Sequence, residues 1–147
     1  DIIRKANSEF EKKFGRSYGN GLIETYKTED AKEAIIAMGS VCSTARIAID
    51  RLRNQGRKVG LIKIRAFRPF PHTDLKGIIG TIKRTAVIDR AVSFGSFGPL
   101  FLEVKAALPE LQINNFIVGL GGRDINENMI ESIAKKIGQK QEVEWIF

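Results

Sequence analysis

Four short stretches carry the residue types that could do chemistry. The first, residues 39–44 (GSVCST), joins an apolar run to a helix-like pattern. Glycine lets the backbone turn sharply, and Ser40 or Ser43 is placed to cap the helix. The free N–H groups at a helix start suit an anion, and an ordinary capped turn is the alternative reading. A phosphate loop is excluded, because the Gly-Lys-Ser/Thr ending is absent. The second stretch, residues 65–72 (RAFRPFPH), holds two prolines that fix its path, together with Arg65, Phe67, Arg68 and Phe70. Phe and Arg are enriched at interface cores. This loop is expected at an interface, with internal packing as the alternative, and His72 reads as a polar or capping residue. The third, residues 90–98 (RAVSFGSFG), combines Arg90 and two Phe, of which Phe94 is the first, with two Ser and two Gly. The fourth, residues 119–124 (GLGGRD), includes Arg123, and its Asp124 stands three positions before Glu127 as a capping-box-like pair. Its glycines do not make the Gly-x-Gly-x-x-Gly dinucleotide fingerprint.

These stretches need elements to position them. Residues 22–26, 34–38, 59–64, 86–89 and 116–118 read as strands, near-continuous apolar runs suited to a sheet buried on both faces. Between them, 44–54, 74–82, 100–108 and 125–137 read as helices; Pro99 opens one, and Gly56 and Gly138 stop two others. Strands alternating with helices predict βαβ units and a three-layer α/β/α sandwich around a mainly parallel sheet. All four stretches then leave the carboxyl ends of strands, where such sheets bind ligands and partners.

Residues 2–14 stand apart. Ile2, Ile3, Ala6, Phe10 and Phe14 recur at helical spacing, and Gly15 ends the pattern. The chain opens at Asp1 inside this helix, without an initiator Met, which reads as a piece of a longer protein. The expected division is a helix or linker over 1–20, from an upstream domain, and an α/β domain over 21–147.

Composition excludes several chemistries. The 147 residues contain one Cys and one His, too few within the chain for a disulfide, a Cys-rich zinc site, an iron–sulfur cluster or a two-His metal site. No metal ligand and no nucleophile–base–acid constellation is legible. Cys42, at a helix start, could have a lowered thiol pKa but lacks a catalytic partner. There is no membrane-length apolar run and no signal-peptide core, so the expected location is the cytoplasm, with no membrane partner. The formal net charge is +7, and it is concentrated: residues 41–90 hold 12 Lys and Arg against 3 Asp and Glu. That suggests an acidic partner, with a solvated helix face as the alternative.

Four segments, in order, carry a resemblance: FGRSYGNGLIETYKTEDAKEAIIAMGSVCSTAR, VGLIKIRAFRPFP, VIDRAVSFGSFGPL and FIVGLGGRDI. Over residues 10–137 the chain resembles the C-terminal domain of the alpha subunit of pyruvate:ferredoxin oxidoreductase (pyruvate synthase), a domain similar to the transketolase C-terminal domain. The related oxoglutarate and branched-chain 2-oxoacid enzymes share the plan. The resemblance implies a complex that oxidatively decarboxylates pyruvate to acetyl-CoA with thiamine diphosphate, coenzyme A and iron–sulfur clusters, and passes electrons to ferredoxin. It also implies that this chain alone binds none of those cofactors. Thiamine diphosphate would lie between an N-terminal alpha-subunit domain, absent here, and the beta subunit. No catalytic residue carries over. The implied role is structural: an assembly domain contacting other subunits or domains, inactive by itself. The competing reading is a stand-alone anion- or nucleotide-binding domain using the basic 41–90 segment; nucleic acid is not the expected partner.

Overall fold

The structure, a computed structural model, describes residues 1–146. Five apolar or β-branched runs form strands as their composition dictates: β1 (Ile23–Tyr26), β2 (Glu33–Met38), β3 (Val59–Ile64), β4 (Arg84–Asp89) and β5 (Gln112–Val118). A sixth, β6 (Val143–Ile146), closes one edge. The sheet order is β1-β3-β2-β4-β5-β6. All neighbours pair in parallel except β1, which runs antiparallel to β3 with Ile23 opposite Ile64.

Alternation along the strands splits the interior into two layers. Ile35, Leu61, Ala86, Ile88 and Phe116 face one side, under α2 (Val41–Asn54) and α5 (Glu127–Lys135). Ile36, Ile62, Val87 and Ile113 face the other, under α3 (His72–Ile79) and α4 (Pro99–Ala107). Each such Ile or Leu, fully buried, contributes about 1.5–3 kcal/mol relative to exposure. This is the three-layer α/β/α sandwich expected from the pattern.

α1 (Ile2–Phe14) forms where its periodicity places it and ends at Gly15, whose left-handed φ of 65° lets its N–H return to the Glu11 carbonyl. None of its residues is buried. It is tied to the body by polar contacts: Arg4 donates to both Asp74 carboxylate oxygens at 2.8 Å, and Asn7 donates to the Gly19 carbonyl at 3.0 Å.

Several boundaries differ from the pattern. α2 begins at Val41, not at 44, because Val41 and Cys42 already face the core. Ser40 occupies the cap position without a side-chain cap bond, and Ser43 lies inside the first turn. α3 begins at His72, directly after Pro71, and the turn at Gly80, with φ 41° and ψ −109°, ends it short of residue 82. The 124/127 capping box does not form: Asn126 caps α5, its Oδ1 accepting from Met129 N–H at 3.0 Å.

Candidate functional site

The topology reverses direction at β2: β3 lies on one side and β4 on the other. At such a switch the loops leaving adjacent strand ends diverge and open a crevice. Two clefts occupy it. On the α3/α4 side, Met38, Phe67, Arg90, Ala91, Pro99 and Leu100 line an apolar cleft of about 330 Å³. On the α2/α5 side, Ser40, Thr44, Arg90, Arg123 and Asp124 border a smaller polar cleft of about 220 Å³.

The structure therefore brings some of the sequence-chosen residues together and separates others. Ser40, Arg90 and Arg123 meet at the polar cleft, and Phe67 and Arg90 at the apolar one. Ser43 stands apart, in a cleft of about 400 Å³ with Glu24, Arg46 and Lys63. Arg65 turns back toward the α1–β1 connection, donating to the Tyr18 carbonyl at 2.6 Å with its guanidinium 5.1 Å from the Tyr18 ring.

Loop 65–72 uses its aromatic residues largely inward. Phe70 is 9% exposed and belongs to the α3/α4 core, with Phe67 edge-on to it at 6.3 Å. Arg68 lies 4.3 Å over the Phe67 ring and pairs with Glu103 of α4 at 2.6 Å. His72 is exposed, its Nδ1 3.1 Å from the Phe70 carbonyl oxygen. The internal-packing alternative thus describes Phe70, while Arg68 and the outer edge of Phe67 remain at the surface.

Loop 90–98 is organised by a residue the sequence reading passed over. Asp89 ends β4 and is buried beside the start of α4. Its Oδ1 accepts from Leu100 N–H at 2.8 Å, and its Oδ2 from Phe101 N–H at 3.1 Å and Asn115 Nδ2 at 3.0 Å. Asn115 Oδ1 accepts from Gly98 N–H at 2.8 Å. Burial pushes the Asp89 carboxyl pKa above its usual range, against the opposing pull of these donors. An acid at a strand end followed by Gly98-Pro99 was the available signal. Beyond this cap, Ser96 N–H donates to the Ser93 carbonyl and Ser93 N–H to that of Phe97. The resulting turn, with Gly95 at φ 68°, holds Phe94 fully in solvent, 105% exposed, while Phe97 packs 4.9 Å from Phe101.

The excess positive charge is mostly answered within the chain. Of the twelve basic residues in 41–90, eight form ion pairs, every one with a carboxylate outside that segment: Glu24, Asp30, Glu33, Glu103 or Glu131. Glu33, at the start of β2, holds Arg57 at 2.7 Å and Arg84 at 2.9 Å. These eight cations share five carboxylates, so the concentration along the sequence is partly offset in space rather than neutralised one for one. Cys42 is 1% exposed, and burial pushes its thiol pKa up to about 11, so desolvation overrides the expected lowering at a helix start. Among the described residues no group of three or more His, Cys, Asp and Glu could hold a metal ion, and no helix is long and apolar enough to cross a membrane.

The fold and its crevice define a class: an α/β domain of the transketolase C-terminal type. A solved split-gene transketolase, described as an inactive beta4 tetramer, superimposes with a TM-score of 0.60 at 14% identity, over 74% of this chain and 38% of that one. The 2-oxoglutarate:ferredoxin oxidoreductase from Magnetococcus marinus, solved with 2-oxoglutarate, coenzyme A and succinyl-CoA bound, superimposes at 0.58 and 20% identity, over 87% of this chain and 21% of that one. The sequence gives the family. Residues 31–130 match the model for pyruvate:ferredoxin oxidoreductase core domain II, and the chain belongs to that family. It is 44% identical over 146 residues to the pyruvate synthase subunit PorA of Methanothermobacter thermautotrophicus, covering 99% of this chain and 38% of that subunit. It is 41% identical over 155 residues to the ketoisovalerate oxidoreductase subunit VorA of Pyrococcus horikoshii, covering 98% and 39%. The chain thus spans under two fifths of the length of these relatives.

Proposed function

We propose that this chain is the assembly domain of the alpha subunit of a 2-oxoacid:ferredoxin oxidoreductase, and that pyruvate is the substrate of the complete complex. The observation that carries this reading is Phe94. It is held fully in solvent by a hydrogen-bonded turn beside an apolar cleft, on a domain whose two cores are already filled. A large aromatic on an ordered turn gains its free energy when a partner covers it. Residues 21–147 form the domain in this reading, and residues 1–20 the link from upstream.

The complete complex would oxidatively decarboxylate pyruvate with thiamine diphosphate, coenzyme A and iron–sulfur clusters, and reduce ferredoxin in the cytoplasm. This chain would contribute no group to those steps. Its strand-end surface would hold the parts together, with Phe67, Arg68, Arg90 and Phe94 as contacts.

The test uses a full-length alpha subunit carrying this domain, coexpressed with its partner subunits, with and without residues 21–147. Loss of the assembled complex and of pyruvate-dependent ferredoxin reduction on deletion is expected, together with no pyruvate-dependent reduction by the 147-residue chain alone. A complex that assembles and turns over without the domain contradicts the proposal.

A further inference from the structure

We infer that α1 is a movable strap: it leaves the α/β body as a unit, Asp74 is its latch, and its release loosens the 65–72 loop that borders the apolar cleft. The contacts involved all lie within this chain, so the inference holds whatever covers the strand-end surface.

A helix of thirteen residues is marginal by itself in water, so α1 depends on what it touches. It touches little. None of its residues is buried, only Ile3 and Asn7 are half-buried, and Ile2, Phe10 and Phe14 stay in solvent. Its attachment is mainly polar. Arg4 reaches Asp74, while Asn7 donates to the Gly19 carbonyl at 3.0 Å and accepts from Arg65 at 3.4 Å. Phe10 adds one ring contact, 6.2 Å from Tyr18. Segments held by so few buried contacts open locally at a small fraction of the global unfolding free energy.

Asp74 is the tie that reaches the loop. Its side chain is mostly buried in the first turn of α3. One Arg4 nitrogen donates to both of its oxygens, and Asn20 Nδ2 donates to its Oδ1 at 2.6 Å. Asn20 Oδ1 in turn accepts from the Leu22 and Ile23 N–H groups, both at 2.9 Å. The Leu22 carbonyl then accepts from Arg65 N–H at 2.8 Å and Ala66 N–H at 3.2 Å. A continuous series of hydrogen bonds therefore runs from α1 through Asp74 and Asn20 to the start of the loop. α1 also sits directly on the turn that Asn20 builds: a Cβ added to Gly21 would lie 2.9 Å from Asn7 Cβ. The strap thus grips the loop at both ends, at Arg65 and just beyond His72. Phe70 stays anchored in the core, while Phe67 borders the cleft and follows the loop. Docked and released α1 are the two states that such coupling requires.

The test is hydrogen–deuterium exchange, read peptide by peptide, on a full-length alpha subunit carrying this domain within its complex. Arg4→Gln, which alters only α1, is expected to speed exchange over residues 2–14 about tenfold, as for loss of a hydrogen bond to a charged group. Exchange over residues 65–68 should rise in the same variant, with β2 to β5 unchanged. Asp74→Asn should do the same. The double variant should exchange no faster than Asp74→Asn alone, because the two side chains act through one contact. Wild-type rates over 2–14 in Arg4→Gln overturn the strap. Faster exchange confined to 2–14 overturns its coupling to the loop. Faster exchange throughout the domain marks general destabilisation and overturns the inference as a whole.

Discussion

A Cβ added to Gly98 would lie 2.1 Å from the Asp89 carboxyl carbon, so the carboxylate that ends β4 occupies the space a side chain would need at the start of α4. Gly98 has an ordinary φ of −63°, so glycine is required here by close approach and not by backbone conformation. The carboxylate reaches past it to two helix N–H groups and the Asn115 amide. The end of β4, the start of α4 and the middle of β5 are thereby joined at one buried point, and loop 90–98 is closed at its base.

Gly98→Ala is expected to destabilise the domain by about 2 kcal/mol or more, through overpacking and displacement of the cap. Asp89→Ala, which leaves three buried donors without an acceptor, is expected to cost about 2–4 kcal/mol. Urea denaturation of the purified variants measures both. Unchanged midpoints would mean that the cap holds nothing in place.

The same carboxyl sets a pH dependence. Its folded pKa is raised by burial, so between the ordinary carboxylate value and the raised one the folded state binds more protons than the unfolded state. Stability from this group is therefore full below the ordinary value and falls as pH rises through the folded pKa. The advantage of wild type over Asp89→Ala should be larger at the acid end of that window than at neutral pH. An advantage that grows toward neutral pH would contradict the assignment.

Cys42 should be inert in the folded chain. With its pKa at about 11, only about one thiol in a thousand is ionised at pH 8, and the sulfur is buried. Ellman's reagent is expected to release colour only after denaturant is added. Rapid labelling of the native chain would contradict the burial.

Loop 65–72 separates into two kinds of residue. Phe70→Ala opens a cavity in the α3/α4 core and is expected to cost about 3–5 kcal/mol of domain stability. Arg68→Ala removes an exposed pair with Glu103 and should cost about 1 kcal/mol or less. Thermal melts of the two variants distinguish these costs; equal losses would mean the loop is not divided in this way.

The order of the elements was legible because the strands are apolar runs and the helices carry glycine or proline at their ends. β6 was not, since Val143–Ile146 is short, lies at an edge and contains a Glu, so neither a buried run nor an alternating face stands out. The start of α5 was misplaced because Asp124 and Asn126 both suit a cap, and only the chain path through the glycines before them selects Asn126. The strand-end stretches were found by composition, yet composition does not say which way an aromatic faces. Phe70 and Phe94 are both loop phenylalanines near prolines or glycines; one closes a core and the other stands in water. The basic stretch shows the same limit, because carboxylates distant in sequence, such as Glu24 and Glu131, are its neighbours in space.

That internal pairing predicts little affinity for nucleic acid. At about 0.15 M salt, where Debye screening acts over about 8 Å, the chain is expected to show no retention on immobilised duplex DNA. Binding that persists at that salt would revive a role for the 41–90 segment as a polyanion site.

The most direct measurement of the assembly account is sedimentation velocity of the complete oxidoreductase carrying Phe94→Ser in its alpha subunit, read beside the melting temperature of the 147-residue chain with the same change. Phe94 touches no core residue, so the melting temperature should stay within a degree or two of wild type, a surface change of about 0.5 kcal/mol or less. The complex itself should dissociate into smaller species. A complex that sediments intact, or a chain whose own stability falls by as much as the assembly does, would contradict the account.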